Sequence, residues 1–184
     1  MKTKLFLCVF GVLAITLFFF SFGTAQAKAD SKGPMITHSF AIEKGYYGNV
    51  WKIYIEAEDP TGNMSKIVST VYHPGWGTYF PDTILFKPQN THHLEGYLQW
   101  NTFSSNTAYL REFTNITLKV SIFDKAGNES NVVFFPIQFA SGSVPKYELP
   151  SPFHKDDPRL GYINIDLYDP YPGGRDGGHP ESPR

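Results

Sequence analysis

Hydrophobic residues alternate with polar ones at a period of two along three long stretches of this chain. Trp51, Ile53, Ile55 and Ala57 fall on one side of an extended backbone, and Lys52, Tyr54, Glu56 and Glu58 fall on the other. Ile116, Leu118, Val120 and Ile122 repeat the pattern against Thr117, Lys119 and Ser121, as do Val133, Phe135, Ile137 and Phe139 in the next stretch. This period is that of a strand with one buried face, and no stretch behind the N-terminal segment carries a convincing helical period. Further β-branched and aromatic runs predict strands at Met35 to Ile42, Ile67 to Tyr72, Thr83 to Lys87 and Leu94 to Trp100. About seven short strands in a hundred residues, with turn residues between them, predict an all-β fold: a single antiparallel β-sandwich.

The N-terminal segment sets the compartment. Lys2 and Lys4 precede an apolar run from Leu5 to about Gly23, and Ala25-Gln26-Ala27 places small residues where a signal peptidase reads. Residues 1–27 therefore read as a signal helix that is removed, followed by a short linker at 28–33. The run also reaches the roughly 18 residues that can span a bilayer, so the alternative is an uncleaved membrane tether. Both readings export the remainder, because the flanking lysines hold the N-terminus in the cytoplasm. The expected location is the periplasm or the outside of the cell.

Cys8 is the only cysteine, and cleavage removes it. The bulky Leu5-Phe6-Leu7 before it excludes a lipid-modified cysteine. The exported chain must then hold together without disulfides, by its core alone. It keeps 14 Lys+Arg (16 less Lys2 and Lys4) against 17 Asp+Glu, a net charge near −3, which offers no basic field to recruit nucleic acid.

Composition changes once more, after Phe139. Residues 34–139 carry the strand patterns, whereas 140–184 form a Pro/Gly-rich tail in which Pro145, Pro150, Pro152, Pro158, Pro170, Pro172, Pro180 and Pro183 oppose helices and central strands. Within the tail, Tyr162-Ile-Asn-Ile-Asp-Leu-Tyr168 alternates Ile163, Ile165 and Leu167 with Asn164 and Asp166. That predicts a strand at 162–168, docked on this domain or added to the sheet of a partner.

Two turns share one pattern 65 residues apart. Asp59, Gly62, Asn63 and Ser65 match Asp124, Gly127, Asn128 and Ser130. Asp caps the turn backbone, and Gly three residues on takes the left-handed conformation that closes it. Ile122-Phe-Asp-Lys-Ala-Gly-Asn-Glu-Ser-Asn-Val-Val-Phe-Phe-Pro-Ile137 resembles the last hairpin of bacterial immunoglobulin-like and fibronectin type III-like modules. The resemblance covers mainly residues 50–68 and 116–139. It implies an immunoglobulin-like sandwich that serves as a binding, spacer or adhesion unit, and it is silent on activity.

If the strands alternate in direction, turns gather at two ends. One end collects Asp59 to Asn63, Pro88 to His93 and Asp124 to Asn128; the other collects Gly45 to Gly48, Pro74 to Pro81 and the loop from Asn101 to Asn115. The second end holds Tyr46, Tyr47, Trp76, Tyr79, Phe80 and Tyr109, rings that either contact a sugar or peptide ligand or fold back to cap the core. The first end places Asp59, Asn63, His92, Asp124 and Asn128 as candidate ligands for calcium, with the His92–His93 pair admitting zinc, although Asp and Asn also occur in hairpin turns for their own sake. No Ser, His and Asp arrangement, phosphate-binding glycine loop or paired-carboxylate site stands out, and no cofactor is implied. The expected role is a non-enzymatic module for contact with an envelope or extracellular protein or glycan. An accessory domain of a secreted hydrolase and a purely structural envelope component are the alternatives.

Overall fold

The computed structural model describes residues 33–46, 48–103, 114–140 and 146–168. The N-terminal segment, Tyr47, Tyr109 and residues 169–184 lie outside the described residues. Among the described residues, no helix is long and apolar enough to cross a membrane.

The described chain is all-β, in ten strands. These are β1 (Met35–Ala41), β2 (Lys44–Gly45), β3 (Val50–Glu58), β4 (Met64–His73), β5 (Gly77–Thr78), β6 (Asp82–Leu85), β7 (His93–Asn101), β8 (Asn115–Asp124), β9 (Val133–Phe139) and β10 (Arg159–Ile163). Each of the seven expected segments overlaps one of them. The other three are the two-residue strands β2 and β5, too short to show a period, and β10 in the tail. A first sheet has the order β1-β3-β7-β10, and a second runs β2-β9-β8-β4-β5 with β6 also paired to β4.

Neither sheet is wholly antiparallel, which corrects the expected pairing. β2 lies parallel to β9, and β10 lies parallel to β7. Chain direction explains both. β1 already runs toward the end at which β9 finishes; after Ile42 the chain changes sheets without reversing, so its continuation aligns with β9. The backbone N–H of Gln138 donates to the Glu43 carbonyl at 2.8 Å there. β7 and β9 finish at the same end, so a chain leaving β9 must travel back along the first sheet before it can form β10. The strand it then forms runs the same way as β7.

The inward residues of both sheets meet in one core. Trp51, Ile53 and Ile55 of β3, Leu98 and Trp100 of β7, Ile67 and Val71 of β4, and Ile116, Leu118 and Ile122 of β8 are all buried in it. Trp51 and Trp100 sit with ring centroids 6.0 Å apart. Their indole N–H groups donate to the carbonyls of Ile42 at 2.9 Å and Ile165 at 3.0 Å, so neither buried donor is wasted.

The tail completes this core. Ile163, Ile165 and Leu167 are buried and belong to the cluster, while Asn164, Asp166 and Tyr168 face out, in the phase the alternation predicts. Ladder pairing begins earlier than expected, at Arg159, and reaches only Ile163. Upstream, the tail passes over the outer face of the first sheet. Phe153 is buried with its ring 5.5 Å from that of Tyr54. Tyr54 points away from the core, yet it is only 3% exposed because the tail covers it.

Candidate ligand-binding site

The aromatic end is a stack that fastens the tail. The rings of Trp76 and Tyr168 lie 4.9 Å apart and 9° from parallel, Tyr79 lies 6.2 Å from Trp76 and 6.3 Å from Tyr168, and His73 stacks on Tyr79 at 6.1 Å. The Tyr168 backbone N–H donates to the Tyr79 hydroxyl at 2.9 Å, and that hydroxyl also bonds His73 Nδ1 at 3.0 Å. Burial pushes the Tyr79 phenol up to about 12, with the contact to Tyr168 a lesser influence. Tyr79 is thus a buried cap, Trp76 keeps part of its edge in solvent, and Phe80 is 84% exposed.

Tyr46 does not join this stack. It follows β2 at one edge of the second sheet, and Trp76 precedes β5 at the other. Four strand spacings separate those edges, roughly 20 Å. Two candidates, Tyr47 and Tyr109, fall outside the described residues. Tyr168 is a ring that the reading of turns alone does not supply, although it ends the alternating tail segment.

At the polar end the three turns do meet. The Asp59 N–H donates to the His92 carbonyl at 2.9 Å, and the Lys125 N–H donates to the Asn63 carbonyl at 3.0 Å. The carboxylates, however, serve their own turns. Asp59 accepts from the Thr61 N–H, the Thr61 hydroxyl and the Asn63 N–H at 2.8, 2.6 and 2.9 Å. Asp124 accepts from the Asn128 N–H and side-chain amide, both at 2.7 Å. The His92 ring lies against Gly62, at a spot where any side chain would collide with it. The arrangement is that of two capped turns, with oxygens already taken up by hydrogen-bond donors.

Asp124 gives this a pH signature. Burial pushes its carboxyl up, but the hydrogen bonds from Asn128, Ala126 and Gly127 outweigh that and hold it below 3.8. A carboxyl lowered by folding stabilises the protein fully above its unfolded value, and the contribution fades as pH falls from there through the folded value. Asp124→Ala should therefore cost about 1.5–3 kcal/mol at neutral pH. The gap to wild type in thermal melts should narrow below pH 3.8, and a gap independent of pH would exclude the charge as its source.

The outward face of the first sheet carries a cleft that no motif announced. It measures about 960 Å³ and is lined by Lys52, Tyr54, Lys146, Tyr147, Glu148, Leu149 and Lys155. β3 supplies Lys52 and Tyr54 from its outward phase, and the returning tail supplies the rest. The rings form an apolar ground: Tyr54 lies 5.6 Å from Tyr97 and 6.5 Å from Phe40, and Phe40 lies 6.0 Å from Tyr147. Lys52 Nζ sits 4.2 Å from the centre of the Tyr97 ring, a cation–π distance. Burial first, then Tyr147, Asp157 and Tyr97, pushes the Tyr54 phenol up, so it stays a neutral donor. Among the described residues none of the three lysines forms an ion pair. Three lysines around one cleft, one of them over the Tyr97 ring, with Glu148 as the lining carboxylate, suit a ligand that brings negative charge.

No family model matches the chain, and no curated protein is significantly similar to it.

Proposed function

We propose that this chain is an exported, non-enzymatic binding module, an immunoglobulin-like β-sandwich whose tail-walled cleft takes an acidic glycan of the envelope or cell surface. The observation that carries this reading is the meeting of Lys52, Lys146 and Lys155 with Tyr54 and Tyr147 around one cleft. Ammonium groups recognise carboxylate, phosphate or sulfate, while tyrosine rings accept sugar faces and donate from their hydroxyls. The volume lies within the roughly 300–1,000 Å³ of small-ligand sites. The leading segment with Lys2, Lys4 and Ala25-Gln26-Ala27 supports export. Glu148 is the single carboxylate in the lining, whereas most glycoside hydrolases use a facing pair, which favours binding over hydrolysis.

The test compares a uronate oligosaccharide with a neutral one of equal length by titration calorimetry. The acidic ligand should bind, weaken with added salt, and lose at least about tenfold in affinity, 1.4 kcal/mol, in the Lys146→Glu/Lys155→Glu double variant. These side chains are exposed, so the melting temperature should hardly move. Equal affinity for the neutral sugar, or for the double variant, would sink the proposal.

A further inference from the structure

We infer that the outward face of the first sheet also binds a divalent transition-metal ion, zinc by its donor set, between Glu56, His93 and Glu95. Register brings these residues together. Glu56 of β3 lies directly opposite Glu95 of β7, and His93 stands two residues from Glu95 on the same side of the strand. One donor atom from each of the three falls within 4.8 Å of the other two. On the far side of Glu56, β1 places His38 opposite it.

Two carboxylates directly opposed across a strand pair repel, and such pairs lower sheet stability unless a cation stands between them. Glu56 cannot escape easily, since its side chain is only 16% exposed. The groups that approach the pair are imidazoles. His93 Nε2 lies 3.7 Å from Glu95 Oε2, too far for a hydrogen bond. It is a natural separation for two atoms that each stand about 2.0–2.2 Å from one zinc ion. His38 Nδ1 is closer to Glu56 Oε2, at 2.6 Å, which makes it a hydrogen-bond partner that orients the carboxylate rather than a fourth ligand. A fourth position is left for water or an incoming group.

The donor set selects the ion. Imidazole with carboxylates suits zinc and its neighbours, whereas calcium prefers oxygens alone. This site is distinct from the turns at Asp59 and Asp124, whose oxygens are occupied by their own backbones.

The full chain, stripped with a chelator, is titrated with zinc and with calcium near neutral pH, and melts are recorded with and without zinc. One equivalent of zinc should bind and raise the melting temperature, and calcium should not. His93→Ala and Glu95→Gln should each abolish that rise. His38→Ala should weaken binding by about 10–100-fold, as loss of an orienting partner does. Glu95→Gln should also raise the melting temperature of the metal-free protein, because it relieves the carboxylate pair, and this shows that the variant is folded. His92→Ala, one residue away on the exposed turn, should bind zinc as wild type does. Absence of zinc binding, or zinc binding unchanged in both His93→Ala and Glu95→Gln, would overturn the inference.

Discussion

A chain ended after Ala140 will fail to hold a cooperative fold. The part removed looks dispensable by composition, yet it contributes Ile163, Ile165 and Leu167 to the core at 4%, 7% and 1% exposure. Burying an aliphatic side chain of this size contributes about 1.5–3 kcal/mol, so the three together supply about 5–9 kcal/mol. Trp100 would lose its carbonyl partner at Ile165, and an unsatisfied buried donor costs about 1–3 kcal/mol more. Phe153 would leave the ring of Tyr54, and the edge of β7 would face water along its length. Domains of this kind have a total stability of about 5–15 kcal/mol, so the loss is comparable with the whole. Denaturant melts followed by tryptophan fluorescence should show no native baseline for the truncated chain. Single changes should grade the effect, with Leu167→Ala costing about 2–5 kcal/mol. A truncated chain that melts cooperatively within a few degrees of the full one would mean that the tail merely rests on the surface.

That expectation marks where the sequence is legible and where it is not. Alternation located β3, β8 and β9, and β-branched and aromatic runs located β1, β4, β6 and β7; the burial along β3, β7 and β8 follows the period because each has one face against the core. The gathering of the Asp59, His92 and Asp124 turns followed from strand direction alone. Pairing partners are different, since a period of two says which face is buried and nothing about the neighbour. Hence the sheet change after Ile42 and the parallel seat of β10 were not visible. The tail prolines agree with the strand that forms, since β10 lies at the edge of its sheet and contains none of them. Pro150, Pro152 and Pro158 sit in a segment that crosses a sheet face and needs few ladder bonds, so a missing N–H costs nothing there. Pro158 even uses its carbonyl to accept from the Tyr97 N–H at 3.0 Å. The cleft was hidden by distance along the chain, because Lys52 and Lys155 lie about a hundred residues apart and neither belongs to a motif. The zinc triad was hidden in a similar way: Glu56 reads as an ordinary outward residue until β7 is known to lie beside it.

Gly96→Ala should be strongly destabilising for the addition of one methyl group, and it tests the same docking from the other side. Leu94, Leu98 and Trp100 flank this glycine in the phase of β7 that is buried, so periodicity alone would invite a larger residue here. The backbone forbids it. Gly96 has φ +153, a conformation that side chains rarely adopt, and such positions store about 1–3 kcal/mol when any other residue is forced into them. An added methyl would also fall inside the contact distance of the Pro158 carbonyl oxygen and reach 2.9 Å from Leu160 Cδ2. The leucine can rotate away, but the carbonyl is backbone and is held by the Tyr97 N–H. Moving it breaks the first bond between β7 and the returning tail, about 0.5–1.5 kcal/mol in itself, and loosens the seat of β10 directly behind it. The expected loss is about 2–4 kcal/mol, on the order of 10 °C in melting temperature for a domain of this size. Gly127→Ala is the control, because Gly127 also has a positive φ, +87, but no atom lies within 4 Å of the added methyl. It carries strain without collision and should cost about 1 kcal/mol. The difference between the two variants isolates the contact with the tail. Gly96→Ala should in addition make the bond after Lys155 more susceptible to trypsin, whereas Gly127→Ala should leave it as resistant as in wild type. Equal melting temperatures and equal cleavage in the two variants would place the tail somewhere other than over Gly96.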